Sequence, residues 1–242
     1  MDNTVMNAWD GDRGMENEDR YYYAAGIRFE KAQKYTIEDY EALPEDVRME
    51  LIDGVFYEIY SDLNAVPPKD YVIYPYLTEY DGLLTGMAAP SPTHQKIVFQ
   101  ISRRIGNYIE EKGGDCEVYP APFEVRLKKD DQSVVEPDIS VICDPDKITD
   151  KGCEGAPDWI IEVVSPGNPG HDYIRKLNLY LDAGIREYWI IDPVKDQITV
   201  YNFEETGSAP TYYTFMDVVN SVIYDDLYID FKELLKKQST DL

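Results

Sequence analysis

The sequence predicts a mixed α/β or α+β fold, a β-sheet of mixed strand directions flanked by helices. Three observations carry this expectation. Apolar runs bounded by turn residues at 116–127, 134–143, 158–164, 187–192 and 198–203 have the length and composition of strands. Two stretches, 91–112 and 171–184, repeat apolar residues at helical spacing. Along the chain the order is helix, hairpin, helix, three strands, helix, strands, which suits a sheet with helices on its faces.

Residues 1–34 mix both charges without periodicity and read as a flexible N-terminal extension, with Tyr21-Tyr22-Tyr23 as its point of order. Residues 35–242 read as a single domain. At Thr36 a helix can start, because the hydroxyl stands three residues before Asp39 in a pattern close to a capping box, and Pro44 limits it. In RMELIDGVFYEIY, residues 48–60, Asp53-Gly54 lies between two strand-like runs and predicts a hairpin. Glu50 and Ile52 then share one face and Leu51 takes the other. Residues 61–86, rich in proline and tyrosine, read as an inserted loop or flap whose tyrosines either pack it onto the body or form a ligand platform. Ser91-Pro92 is a good N-cap and first residue for a long helix. Ile97, Val98, Ile101, Ile105, Tyr108 and Ile109 mark its buried face, and Gly113-Gly114 stops it. After the second helix and its strands, FKELLKK at 231–237 predicts a short final helix.

Composition bounds the function. Lys and Arg number 23 against 47 Asp and Glu, a net charge of -24. A protein that grips a nucleic acid backbone normally presents a basic surface, so any such role here needs a locally basic groove, metal ions or both. The 21 tyrosines, 7 phenylalanines and 3 tryptophans exclude a disordered acidic chain. Trp159 and Trp189 read as core. No apolar run reaches the ~20 residues that span a bilayer. The first residues lack the pattern of a secretory signal, and three cysteines without CxxC spacing read as reduced thiols in a cytoplasmic protein.

One residue does not fit a purely structural reading. Glu162 interrupts the apolar run WIIEVV at 159–164, and a buried carboxylate is costly unless paired, hydrogen-bonded or metal-bound. Asp138 stands at the start of another apolar strand, behind Pro137. If those strands pair at ~4.8 Å, both carboxylates reach one point, where a hard cation such as Mg²⁺ or Mn²⁺ would relieve their repulsion. Lys176 follows on the next helix and can serve that site, or form an i,i+4 surface pair with Asp172. Asp138 can equally be a turn residue and Glu162 the partner of a buried Arg. His171 and Ser165 read as loop and cap residues.

PD at 137–138, a strand Glu at 162 and a helical Lys resemble the PD-(D/E)XK nuclease superfamily. More closely, ELIDG (50–54), APSPTHQ (89–95), EPDISVICDPDKI (136–148), GAPDWIIEVVSPGN (155–168) and DYIRKLNLYLDAGIREYWIIDP (172–193) resemble the Uma-two family of putative restriction endonucleases, over roughly residues 35–203. The resemblance implies a restriction-endonuclease-like core, a Mg²⁺ or Mn²⁺ cofactor and hydrolysis of DNA phosphodiester bonds, with a homodimer suited to cutting both strands. It maps Asp138 and Glu162 to metal-binding acids and Glu50 to a further ligand or holder of metal-bound water. The superfamily's motif lysine would fall at Val164; Lys176 matches the position from which this family supplies it. His94 matches a family position without an assigned role. Two rivals stand beside the nuclease: a catalytically silent nuclease-fold interaction module, and a glycoside hydrolase using Glu50, Asp138 and Glu162 as acid and base.

Overall fold

The computed structural model describes residues 21–24, 27–30, 33–43, 49–58, 90–127, 132–164, 171–205 and 207–236. The insertion expected at 61–86, the helix limit at Pro44, Ser165 and most of the N-terminal extension lie outside these residues.

In chain order the elements are β1 (Tyr21–Ala24), β2 (Ile27–Glu30), α1 (Ile37–Glu41), β3 (Met49–Ile52), β4 (Val55–Glu58), α2 (Pro92–Lys112), β5 (Glu117–Pro120), β6 (Val125–Arg126), β7 (Val134–Val135), β8 (Ile139–Ile142), β9 (Ile148–Thr149), β10 (Gly152–Glu154), β11 (Trp159–Val163), α3 (His171–Ala183), β12 (Glu187–Asp192), β13 (Gln197–Asn202), β14 (Thr211–Tyr213), β15 (Val218–Asn220), β16 (Tyr228–Asp230) and α4 (Phe231–Leu235). They form a mixed α+β fold, as expected, but with two six-stranded sheets among the described residues. One runs β4-β3-β7-β6-β10-β9 and the other β14-β13-β12-β11-β8-β5. The hairpin β9–β10 and the strands β14, β15 and β16 are too short to show a period in the sequence. The tyrosines at 21–23 lie in β1, which pairs antiparallel with β2.

Local chemistry explains the early elements. Thr36 caps α1, and its side chain and that of Asp39 form the reciprocal bonds of a capping box. Asp53 and Gly54 both take positive φ, 49° and 73°, as a two-residue turn between β3 and β4 demands. A Cβ on Gly54 would come within 2.9 Å of Lys34 Cδ and 3.1 Å of the Tyr35 carbonyl, so glycine fits both the turn and the packing. Ser91 caps α2 through the His94 amide, Pro92 opens the helix, and Gly113 ends it in the left-handed conformation.

The second sheet divides the core. On one face Trp159, Ile161, Val163, Trp189 and Ile191 pack with Ile97, Ile101, Ile105 and Ile109 of α2 and with Phe231 and Leu234 of α4. The rings of Trp159 and Trp189 meet edge-to-face at 4.9 Å, so both are core, as expected. On the other face Ile160 and Tyr188 pack with Leu179 and Tyr180 of α3 and with Ile52, Val125 and Val135 of the first sheet. Alternation along β11 therefore sends Glu162, two residues after Ile160, toward α3 and the first sheet. A second buried carboxylate, Glu187, is satisfied locally: it accepts from Trp189 Nε1 (2.6 Å), Ser221 Oγ (2.8 Å) and the Ile223 amide (3.0 Å), tying β12 to the C-terminal segment.

The cysteines correct an expectation. Cys116 and Cys143 form a disulfide, whereas Cys153 is free and buried. The antiparallel pairing of Glu117 with Ile142 sets Cys116 directly opposite Cys143, a proximity of register that spacing along the chain does not reveal. Thiol titration of unfolded, unreduced protein should therefore detect one thiol per chain, and three after reduction. Three thiols without reductant would mean that the bond does not form.

Candidate active site

The five singled-out side chains, Glu50, His94, Asp138, Glu162 and Lys176, converge from separate parts of the chain. β8 and β11 pair antiparallel with Ile161 opposite Ile139, so the next step of the register brings Glu162 level with Asp138. Asp138 Oδ2 accepts the Val163 amide at 2.7 Å, fixing it against the end of β11. From the first sheet, β3 contributes Glu50, whose Oε1 accepts the Glu136 amide at 3.0 Å. From α3 comes Lys176, whose Nζ donates to Glu50 Oε1 at 2.9 Å and to Glu162 Oε1 at 3.2 Å. Lys176, Glu50 and Glu162 are all buried, so Lys176 is an interior cation and not the exposed half of a surface pair. The Asp172 and His171 side chains, and the loop that precedes α3, lie outside the described residues.

His94, from the first turn of α2, brings its Nε2 within 3.2 Å of Asp138 Oδ2. The carboxylate can only accept, so the imidazole donates. His94 is buried, and its Nδ1 has no hydrogen-bond partner among the described residues. Burial works against the imidazolium, but the Asp138 carboxylate and the Val163 carbonyl outweigh it and raise the pKa above the usual histidine range. Tyr180, one turn beyond Lys176, is fully buried and donates to Glu162 Oε1 at 2.9 Å. Sequence reasoning passed over Tyr180. The available signal was its i,i+4 spacing from Lys176, which puts both on one helix face.

The electrostatics follow from crowding. Three carboxylates face one ammonium. Burial is the largest influence on Glu162; Lys176 pulls its pKa down, but Asp138 and Glu50 push it up, and the balance lies at about 7. Burial and the Glu162 charge also drive the Tyr180 phenol well above its ordinary value, so it stays protonated and donates.

Lys176 occupies the space between Glu50 and Glu162, and among the described residues no group of three or more His, Cys, Asp and Glu is arranged so that it could hold a metal ion. The donor chemistry is nevertheless that of a hard cation: carboxylate oxygens in excess of the positive charge that faces them. Asp138 uses Oδ2 for His94 and Val163, and Glu162 uses Oε1 for Lys176 and Tyr180. Asp138 Oδ1 and Glu162 Oε2 join no hydrogen bond among the described residues.

With this geometry in hand, comparison with known proteins is informative. The family model Uma2, described as "Putative restriction endonuclease", matches residues 68–222. This chain belongs to the Uma2 family. The matched segment holds His94, Asp138, Glu162, Lys176 and Tyr180, while Glu50 precedes it. An uncharacterized protein of Synechocystis sp. is 26% identical over 129 residues, covering 53% of this chain and 66% of the relative, just under two thirds of its length. The crystal structure of a putative nuclease belonging to DUF820 from Anabaena variabilis superposes with a TM-score of 0.59 at 18% identity, covering 82% of this chain and 96% of the neighbour. That likeness is one of fold.

Two predictions follow from the bonds described. Asp138→Ala should lose about 1–3 kcal/mol of stability, because the Val163 amide is left without its acceptor. Asp138→Asn, which keeps an acceptor oxygen, should lose less; equal losses by urea denaturation would show that the bond is not what holds this turn. Glu162 has a folded pKa raised to about 7 from 4.5, so its ionisation opposes folding. The contribution of Glu162 to stability should thus be full below about pH 4.5 and be lost as pH rises to about 7. Urea midpoints of Glu162→Gln should gain on the parent from about pH 5 to about pH 7 and run parallel to it above; parallel curves throughout would refute the raised pKa.

Proposed function

We propose that this Uma2 family member is a metal-dependent endonuclease that hydrolyses phosphodiester bonds of DNA, with Glu50, Asp138, Glu162 and Lys176 as its working side chains and Mg²⁺ or Mn²⁺ as its cofactor. One observation supports this reading above the others: Lys176, reaching in from α3, meets the strand acid Glu162 and the upstream acid Glu50 although Val164 stands where the superfamily's lysine would be.

In this reading Asp138 and Glu162 hold the ion, each with an oxygen outside the local hydrogen bonds, and Glu50 is the third acid. When bound, the ion would polarise a phosphate and lower the pKa of water. The protein's own groups have separable tasks. Asp138 is oriented by the Val163 amide and His94. Lys176 offers a cation at the position where an attacking water must be oriented and where negative charge develops on phosphate. Burial keeps these groups in place and strengthens each charge at short range. A cytoplasmic setting and a homodimer that presents two such sites to a duplex complete the proposal, together with a single domain over 35–242 preceded by an extension.

The net charge of -24 favours a second reading, a silent nuclease-fold interaction module, because DNA phosphates would be repelled except where metal offsets the acids. Mn²⁺ calorimetry separates the two. Binding to the parent and its loss in Glu162→Gln support the nuclease, and Lys176→Ala should then lower the cleavage rate more than the Mn²⁺ affinity. No binding to either, and no DNA cleavage at low salt with Mg²⁺ or Mn²⁺, would leave the interaction module.

A further inference from the structure

Glu162 is held by two donors on one oxygen. Lys176 Nζ and the Tyr180 hydroxyl both reach Oε1, at 3.2 and 2.9 Å, from positions one helical turn apart on α3. The lysine has a second carboxylate, Glu50, to answer to. The tyrosine's hydroxyl donates to Glu162. Its ring is immobilised from behind: Tyr180 meets Tyr188 edge-on at 5.0 Å, and Tyr188 stacks in turn on Tyr201 at 5.9 Å and Phe203 at 6.4 Å. These rings stand on α3, on β12, and on β13 and the residue just past it, so the hydroxyl's position is set by packing on the second sheet and not by the site itself. Phenylalanine would fill the same core volume. The hydroxyl is therefore the part that packing does not require, and its bond goes to the carboxylate at the centre of the site.

We propose that Tyr180 is a positioning residue for Glu162: its hydroxyl, with Lys176, engages Oε1 so that Oε2 is the oxygen presented to a divalent cation. This rests on the metal-dependent reading above. Without Tyr180's hydroxyl, Lys176 is shared between two acids and Glu162 can turn about its side-chain bonds toward either. Carboxylates that bind metals are commonly fixed by such outer hydrogen bonds, and loss of one typically weakens metal binding or activity by about 10- to 100-fold.

The test is Tyr180→Phe in the full chain, with Mn²⁺ alone as the probe, followed by calorimetry and by water-proton relaxation of the bound ion. Thermal unfolding of both proteins checks that the fold is kept. The expected result is an Mn²⁺ affinity at least about tenfold weaker, with a changed relaxation signature, in a variant that still unfolds cooperatively. Should DNA cleavage be found in the parent, kcat should fall while KM for DNA stays unchanged. Parent and variant binding Mn²⁺ equally, with equal relaxation, would overturn the role of Tyr180 while leaving the metal site standing. If Phe prevents folding, Tyr180→Met serves instead: it keeps apolar bulk without the hydroxyl, and Mn²⁺ affinity equal to the parent's would overturn the proposal. A parent that binds no Mn²⁺ would overturn the metal reading itself, and this inference with it.

Discussion

The ammonium of Lys176 is buried, and the arrangement of the site depends on how that charge is met. An isolated ammonium in a protein interior costs several kcal/mol of desolvation, so it is tolerated only with good partners. Glu50 and Glu162 are those partners, and they come from different sheets. The ion pairs thus join an interior strand of each sheet, β3 and β11, to helix α3. Removing either acid leaves a buried charge short of compensation, and removing the lysine leaves two buried carboxylates facing each other. Either change is of the kind that costs a protein far more than a surface ion pair does.

Such an arrangement is over-supplied with negative charge. Asp138 adds a third carboxylate, and the Val163 amide and His94 hold it without neutralising the group as a whole. A purely structural ion pair would be expected to balance, as the buried Glu187 does by accepting hydrogen bonds from an indole, a hydroxyl and a backbone amide. The contrast between the two buried acids of the same sheet is instructive. Glu187 is satisfied by neutral donors and serves to anchor the C-terminal segment. Burial raises the pKa of both acids, but Glu162 sits among other carboxylates, and Asp138 and Glu50 add to its rise, to about 7. Carboxylates whose ionisation is perturbed by burial and by one another are characteristic of functional sites.

The acid surplus over the whole chain has a different consequence. It discourages loose association with nucleic acid phosphates. It does not bear on the fold, which is that of a Uma2 family member and superposes on the DUF820 protein of Anabaena variabilis. A substrate that is held by contacts at the site, with a cation offsetting the acids there, is the kind that such a surface would leave accessible.

Much of this was legible beforehand because it is local. The turn at Asp53-Gly54, the capping box at Thr36, the Ser91-Pro92 start and Gly113 stop of α2, and the β11 run around Glu162 are all set by residues within a few positions of one another. The sequence by itself therefore determined the main elements, the mixed α+β class and, through its motifs, the family and the acids worth attention. It could not decide whether Lys176 serves the acid site or pairs with Asp172 on the surface, since Asp172 is four residues away along the helix while Glu50 is over a hundred residues distant. Nor could it foresee the division of the strands into two sheets, the Cys116–Cys143 bond or the Tyr180 hydroxyl on Glu162. Those were decided only by the tertiary structure. Strand register and the packing of α3 against both sheets bring together groups whose separation along the chain carries no information about their distance in space.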